Sequence, residues 1–293
     1  MGLIKRYPAV SWGLGITIAF LCLAFFRPSA TDDFLNTLEL KLYDVRMGML
    51  AEPESESSIV IVDIDDQSIA NIGRWPWPRS YLAQGLHLIN AGEPAVIGMN
   101  IIFSEPQVEE GLDVLKKMEK LFMTLGLNEA PNGELYHQRM VERMAPLEYD
   151  AILAQVMSDS ENVVLPASFY FTDVARSLAE DQLSQLEENR LTLVGKNENS
   201  SAPLANVVEL PIPIFLDSAL CIGHSVLALD PDGKVRREQL VYEYEGNLYP
   251  SYALAIAASA LGVSLSDIEI DLGEELRSGP HALPLTRDSN VYI

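Results

Sequence analysis

The chain has 293 residues, 42 of them acidic and 20 basic, for a formal net charge of −22 at pH 7. That length holds core for one large domain or two small ones, and that charge excludes duplex nucleic acid as a partner, because little basic surface is left to neutralise phosphates. Every acidic residue lies after Thr31, whereas Lys5, Arg6 and Arg27 precede it. A solvated surface accounts for the acidic excess; cation binding and a saline habitat are the alternatives.

Tyr7 to Phe26 is a charge-free, largely apolar run of about 20 residues, the length that a helix needs to cross the roughly 30 Å hydrocarbon core. Lys5 and Arg6 before it put the N-terminus in the cytoplasm and the remainder outside. A cleaved signal peptide fits less well: the run is long for an h-region, and Pro28 stands where a small residue is wanted before Ala30. The expectation is a signal anchor over residues 1–30, seated in the lipid bilayer of the inner membrane, with a periplasmic or extracellular main domain. The two cysteines, Cys22 and Cys221, would fall on either side of that boundary, so no intrachain disulfide is expected.

Residues 31–50 read as a membrane-proximal helix. Thr31 or Asp32 can cap it, and Phe34, Leu35, Leu38, Leu42 and Val45 recur at helical spacing. A stalk or dimer helix and a helix packed on its own domain stay equally open. Ala51–Ser58 is a polar loop, and residues 51–293 form the main domain.

Ile59–Val62 is a β-branched run of the kind a parallel sheet covers on both faces. Asp66 or Ser68 can cap a short helix that Gly73 closes. Trp75–Arg79 is a stiff Trp/Pro corner leading into a helix from about Pro78 to Ala91, with Leu82, Leu86 and Ile89 inward. Ala95–Phe103 is the second buried strand, completing a right-handed βαβ unit. Leu112, Leu115, Met118, Phe122 and Leu125 mark an amphipathic helix. Asn128–Gly133 is a turn, and a helix with a break at Pro146 covers Glu134–Met157. Val163–Phe171 is the third strand, and acidic Asp173–Ser201 a surface excursion with one short helix. A β-hairpin spans Gly223–Tyr244 around the Asp230–Gly233 turn. Pro250–Leu261 is an Ala-rich helix closed by Gly262, and Val291–Ile293 begins a strand. The fold class is α/β: a mixed, mostly parallel sheet with helices on both faces.

Asp63, Asp65 and Asp66 at the end of the first strand are the leading chemical cluster, since open α/β sheets place ligands at the carboxyl ends of their strands. A DxD there also resembles haloacid dehalogenase phosphohydrolases, which would make Asp63 a nucleophile and Asp65 a general acid around Mg²⁺. Gln67 and Asn100 depart from that pattern, and no later acidic motif supplies further metal ligands. The structural alternative has one Asp capping the next helix and another pairing with Arg74 or Arg79. Trp75, Trp77 and Arg79 form either a ligand wall or a plug over the sheet end. Ser225 lacks the second Gly of a nucleophile elbow. His87, His137, His224 and His281 are scattered away from metal-ligand spacing, and His224 reads as a hydrogen-bonded core residue. Arg236 and Arg237 form the compact basic spot, facing Asp230 or Asp232. No Gly-rich phosphate loop, cofactor or metal site is expected.

Trp75–Arg79 after Ile59–Ile69 resembles the CHASE2 extracytoplasmic sensor domain of bacterial transmembrane receptors, and Leu38–Met47, Ala95–Pro106 and Gly223–Glu238 agree with it in order. The resemblance runs from about Leu38 to the end; Asn100 stands where the family usually has Asp. It implies a sensory module that regulates a cytoplasmic nucleotide cyclase or kinase encoded further along, with the family pattern continuing past Ile293 and no catalysis in this chain. The expected ligand site gathers Asp63, Asp65, Asp66, Trp75, Trp77, Arg79, Asn100, Ser104 and Glu105 for a small polar or cationic ligand, in a homodimer.

Overall fold

The computed structural model describes residues 13–18, 29–50, 58–174, 177–198 and 200–293, which divide into two compact units, Met1–Ile64 and Asp65–Ile293. In the first unit, residues 13–18 and α1 (Ser29–Leu50) are helical. The rest of the proposed membrane span Tyr7–Phe26, with Cys22, lies outside the described residues, as does most of the Ala51–Ser58 loop. Among the described residues, no helix is long and apolar enough to cross a membrane. Along α1, Leu35, Leu38, Leu42 and Val45 are 44–53 % exposed.

The expected first strand is corrected. Ile59–Val62 belongs to no strand, and its side chains are 67–87 % exposed. β-Branched composition supplies strand propensity, but a strand also needs a hydrogen-bonded neighbour and a covered face. The first βαβ unit therefore has no opening strand.

The second unit begins with α2 (Asp66–Ile72) and α3 (Arg79–Asn90), followed by β1 (Ile97–Gly98). Of the expected strand Ala95–Phe103, only those two residues enter the ladder. An excursion follows: α4 (Glu110–Thr124), a 3₁₀ turn at Leu127–Glu129, and α5 (Gly133–Met144). The helix break at Pro146 falls in the 3₁₀ turn Ala145–Leu147, before α6 (Tyr149–Ser160).

The central strand is β2 (Val163–Tyr170), buried along Val163–Phe169. It pairs in parallel with β1 and with β5 (Cys221–His224), and antiparallel with β4 (Val207–Glu209). Pro166 has no N–H to donate. It falls between the register of β1, ending at Val164, and that of β4, starting at Ser168. The two faces of β2 feed different cores. Val163, Leu165, Ala167 and Phe169 join Ala83 and Leu86 of α3 and Leu153 and Met157 of α6. Val164 joins Ala255 and Ala258 of α9 (Tyr252–Ala260). Helices thus cover both faces, as two-sided apolar strands require. Gly223 of β5 makes this closeness possible: a Cβ there would sit 2.6 Å from the Ser251 carbonyl oxygen.

A second sheet has β3 (Thr192–Lys196) parallel to β9 (Ile268–Leu272), then β10 (Glu275–Ser278) and β11 (His281–Pro284) as an antiparallel meander. The Asp173–Ser201 stretch is therefore more than a surface excursion. Its α7 (Glu180–Glu187) buries Leu186, and β3 extends the second sheet.

The expected Gly223–Tyr244 hairpin is also corrected. Around Asp230–Gly233 a single bridge joins Leu229 to Val235. The return segment splits: β6 (Arg237–Gln239) pairs with β12 (Asn290–Tyr292), and β7 (Val241–Tyr244) makes a tight hairpin with β8 (Asn247–Pro250). Glu245 and Gly246 both have positive φ, 48° and 80°, which favours that two-residue turn over the longer one read from the sequence.

Candidate functional site

The Trp/Pro corner joins α2 to α3. Asp65 caps α2, accepting from Ser68 N at 2.7 Å and from Ser68 Oγ at 2.6 Å. The cap is therefore Asp65, not Asp66 or Ser68. Those bonds favour the ionised carboxylate and hold the Asp65 carboxyl below its usual range. Gly73 closes α2 through its N–H to the Ile69 carbonyl at 2.9 Å. Trp75–Pro76 is cis. Trp75 and Trp77, both half-buried, meet edge to face at 5.6 Å, and Trp77 Nε1 donates to the Gly73 carbonyl at 2.7 Å.

Arg79 opens α3 and is the hub. Its guanidinium is ion-paired to Asp150 at the start of α6, with side chains 12 % and 20 % exposed. Nη2 donates to the Glu105 carbonyl at 2.5 Å. The guanidinium also lies 5.1 Å from the ring centres of Phe103 and of Phe215 in α8 (Pro213–Leu216). Gln107 closes the network, accepting from Arg79 N at 2.8 Å and donating its backbone N–H to Asp150 at 3.0 Å. The sequence reading paired Arg79 with Asp63 or Asp65. Asp150 takes that place because α3 packs on α6 and the chain after Phe103 runs past both, with the Glu105 carbonyl on Arg79 and the Gln107 N–H on Asp150, a proximity that only the fold creates.

Of the other expected site residues, Asp63 belongs to the first unit and is exposed; Asp66, Asn100 and Glu105 are exposed and Ser104 is half-buried. Asp65 and Arg79 are engaged as described, while Trp75 and Trp77 cover each other. Within the second unit, the structure brings together Arg79 with the Glu105 backbone and the two Trp residues with each other. Among the described residues, no group of three His, Cys, Asp or Glu side chains converges as a metal site.

Two further clusters are built from β5 and β6. Asp230 and Asp232 flank the turn and face the two arginines: Arg236 Nη1 reaches Asp230 at 2.9 Å, Arg236 Nη2 reaches Asp232 at 2.6 Å, and Arg237 Nη2 reaches Asp230 at 2.7 Å. The Arg236 guanidinium holds Asp230 below the carboxylate range and brings Asp232 to about 2. The pairing expected of this basic spot is met, and it is a closed ion network. His224, at the end of β5, is buried against the rings of Phe169 and Tyr242, and Phe169 in turn meets Tyr249. The expectation of a hydrogen-bonded core histidine is half corrected: it is in the core, but among the described residues neither ring nitrogen has a hydrogen-bond partner. Burial pushes the His224 imidazole down to about 3, so it is neutral.

Two concavities were missed in the sequence. One, of about 640 Å³, lies at the start of β5 and is lined by Gln185, Glu188, Asn189, Asp217, Cys221 and Ser259 among others. Burial raises the Cys221 thiol, whose Sγ lies 3.4 Å from Ser259 Oγ. The other, of about 580 Å³, lies in the α4–α5 hairpin and is lined mainly by apolar side chains. Only the amphipathic spacing of α4 pointed to it, and that pattern reads equally as core.

A family model described as the CHASE2 domain matches residues 16–293, covering α1 and the whole α/β unit. No curated protein and no solved structure matches the chain significantly. The chain belongs to the CHASE2 family of extracytoplasmic sensor domains.

Proposed function

We propose that the chain is the ligand-sensing part of a membrane-bound receptor, anchored through Tyr7–Phe26 with its α/β unit outside the cytoplasm, and that it regulates a cytoplasmic nucleotide cyclase or kinase. The observation that carries this reading is the family match from residue 16 to 293. It takes in the membrane-proximal helix as well as the α/β unit, so helix and sensor form one family module. The exposed side chains of Leu35, Leu38, Leu42 and Val45 on α1 support a second copy as its neighbour. A ligand acts on such a dimer only if it binds two arrangements with different affinity. We read the module as sensory rather than catalytic: Asp65, the general acid of the phosphohydrolase alternative, is committed to its cap. For the small polar or cationic ligand, the second-unit groups of the expected site that no side-chain pairing engages among the described residues are Asp66, Asn100, Ser104 and the Glu105 carboxylate.

Reporter fusions at Ile293 test the topology: an exported phosphatase should be active and a cytoplasmic fluorophore dark, and the reverse pattern would refute an extracytoplasmic sensor. Single cysteines along Leu35–Val45 should crosslink between copies at one helical face. Crosslinking with no periodicity would remove α1 from the dimer.

A further inference from the structure

The α4–α5 hairpin has the chemistry of a ligand groove. Its groove has a volume of about 580 Å³, within the range of pockets that hold small molecules. Met118, Leu121, Phe122 and Leu125 of the α4 side face Tyr136 and Met140 of α5. Several of these are open to solvent in a strongly acidic chain: Leu121 is 57 % exposed, Leu125 61 % and Met118 52 %. Exposed apolar clusters of this kind mark binding surfaces, and methionines adapt to the shape of an occupant. One end is closed. A Cβ on Gly133 would clash with the carbonyl oxygens of Leu127 and Asn128, so only glycine lets α5 start directly against the 3₁₀ turn.

We propose that this groove binds a small, uncharged, ring-bearing molecule with one hydrogen-bonding group. Charge selects the occupant. No lining side chain carries a charge, and Tyr136 and Asn132 are the only polar ones. Two lysines of α4 are already paired, Lys116 with Glu148 at 2.9 Å and Lys117 with Asp113 at 2.5 Å, and His137 Nε2 lies 2.8 Å from Glu119. A charged ligand would lose hydration with no counter-ion in the lining. Phe122 stacks on Tyr136 with ring centres 5.6 Å apart and 28° between planes, which presents flat aromatic surface to an inserted ring. A second copy fits less well, because a dimer interface buries about 800 Å² per partner over a broad face, and this concavity ends against a turn. The sensory role of the ligand rests on the receptor reading above; the binding does not.

The test is photolabelling of the full chain with trifluoromethyl-diazirinyl benzyl alcohol, an uncharged aromatic alcohol, with adducts mapped by mass spectrometry. Labelling should saturate at Met118, Leu121 and Tyr136, and be suppressed by naphthol but not by naphthalenesulfonate. Leu121→Glu should weaken it about tenfold or more with unchanged melting, whereas Leu135→Glu, exposed outside the lining, should not. If Leu121→Glu fails to fold, the wild-type competition alone decides. Unsaturable labelling, equal suppression by the sulfonate, or loss of a dimer in Leu121→Glu by sedimentation would each overturn the proposal. Failure here leaves the fusion result untouched, so a misplaced groove and a wrong receptor reading give different outcomes.

Discussion

Two regions bury an ionisable side chain, and they do it in opposite ways. Arg79 is surrounded by partners: a carboxylate, a carbonyl and two aromatic faces. His224 lies against the rings of Phe169 and Tyr242 and, among the described residues, has a hydrogen-bond partner at neither nitrogen. Burial disfavours a charge unless it is paired. The paired Arg79 guanidinium therefore ties α3 to α6, whereas burial without a partner leaves His224 neutral. The first arrangement should make stability depend on side-chain identity, the second on pH.

The largest effect should come from breaking the first arrangement on one side. Asp150→Ala leaves the Arg79 guanidinium without its carboxylate in a site where its side chain is 12 % exposed. Removing one partner of such a pair costs about 3–5 kcal/mol when fully buried; partial exposure of Asp150 places the expectation near the lower end, about 3 kcal/mol by denaturant unfolding. Arg79→Met with Asp150→Leu should recover much of that, because the cost lies in the stranded charge. A double variant as unstable as the sum of the singles would show two independent losses and no pair.

Next comes pH. The folded pKa of His224 is about 3, against a reference of 6.5. Between those values the unfolded chain takes up a proton that the folded chain refuses, so stability is fully present above pH 6.5 and falls as pH drops. The slope is about 1.4 kcal/mol per pH unit once well below 6.5. Glu238, whose carboxyl burial raises from its ordinary 4.5, acts in the opposite sense as the pH falls towards that value. His224→Leu isolates the histidine: it should flatten the melting temperature between pH 7 and 5 relative to wild type. An unchanged slope would place the acid sensitivity elsewhere.

How far the sequence shows this contrast depends on how local each part is. Part of the corner was legible because its determinants are neighbours: prolines fix the chain and Gly73 ends α2, although the cap is Asp65 rather than Asp66 or Ser68. The helices α3, α6 and α9 and the strand β2 were legible from periodicity and from apolar runs. The partner of Arg79 was not, since Asp150 lies 71 positions away and only the α3–α6 packing brings it close. His224 was placed in the core but its hydrogen bonding was misjudged, because a sequence shows burial without showing what faces each nitrogen. Ile59–Val62 failed for a related reason. A strand's existence depends on its neighbour, and propensity alone stood for pairing. The turn after β7 outcompeted the longer one because Glu245 and Gly246 both adopt positive φ.

The smallest effect sharpens the contrast within the corner itself. Both Trp75 and Trp77 are half-buried rather than enclosed, so neither carries the weight of a core tryptophan. Trp77→Phe keeps a ring against Trp75, at 5.6 Å in the wild type, and removes one donor, Nε1 to the Gly73 carbonyl at 2.7 Å. That bond is exposed, so its carbonyl can turn to water. The expected loss is about 0.5–1 kcal/mol, the net worth of a neutral hydrogen bond. Trp77→Ala, which also removes the edge-to-face contact and half-buried area, should cost about 2 kcal/mol. If Trp77→Phe costs as much as Trp77→Ala, the hydrogen bond rather than the ring holds the α2 end in place. If both leave the melting temperature unchanged while labelling or signalling changes, the indoles are a binding wall and the corner joins the groove as a place where this domain meets its ligand.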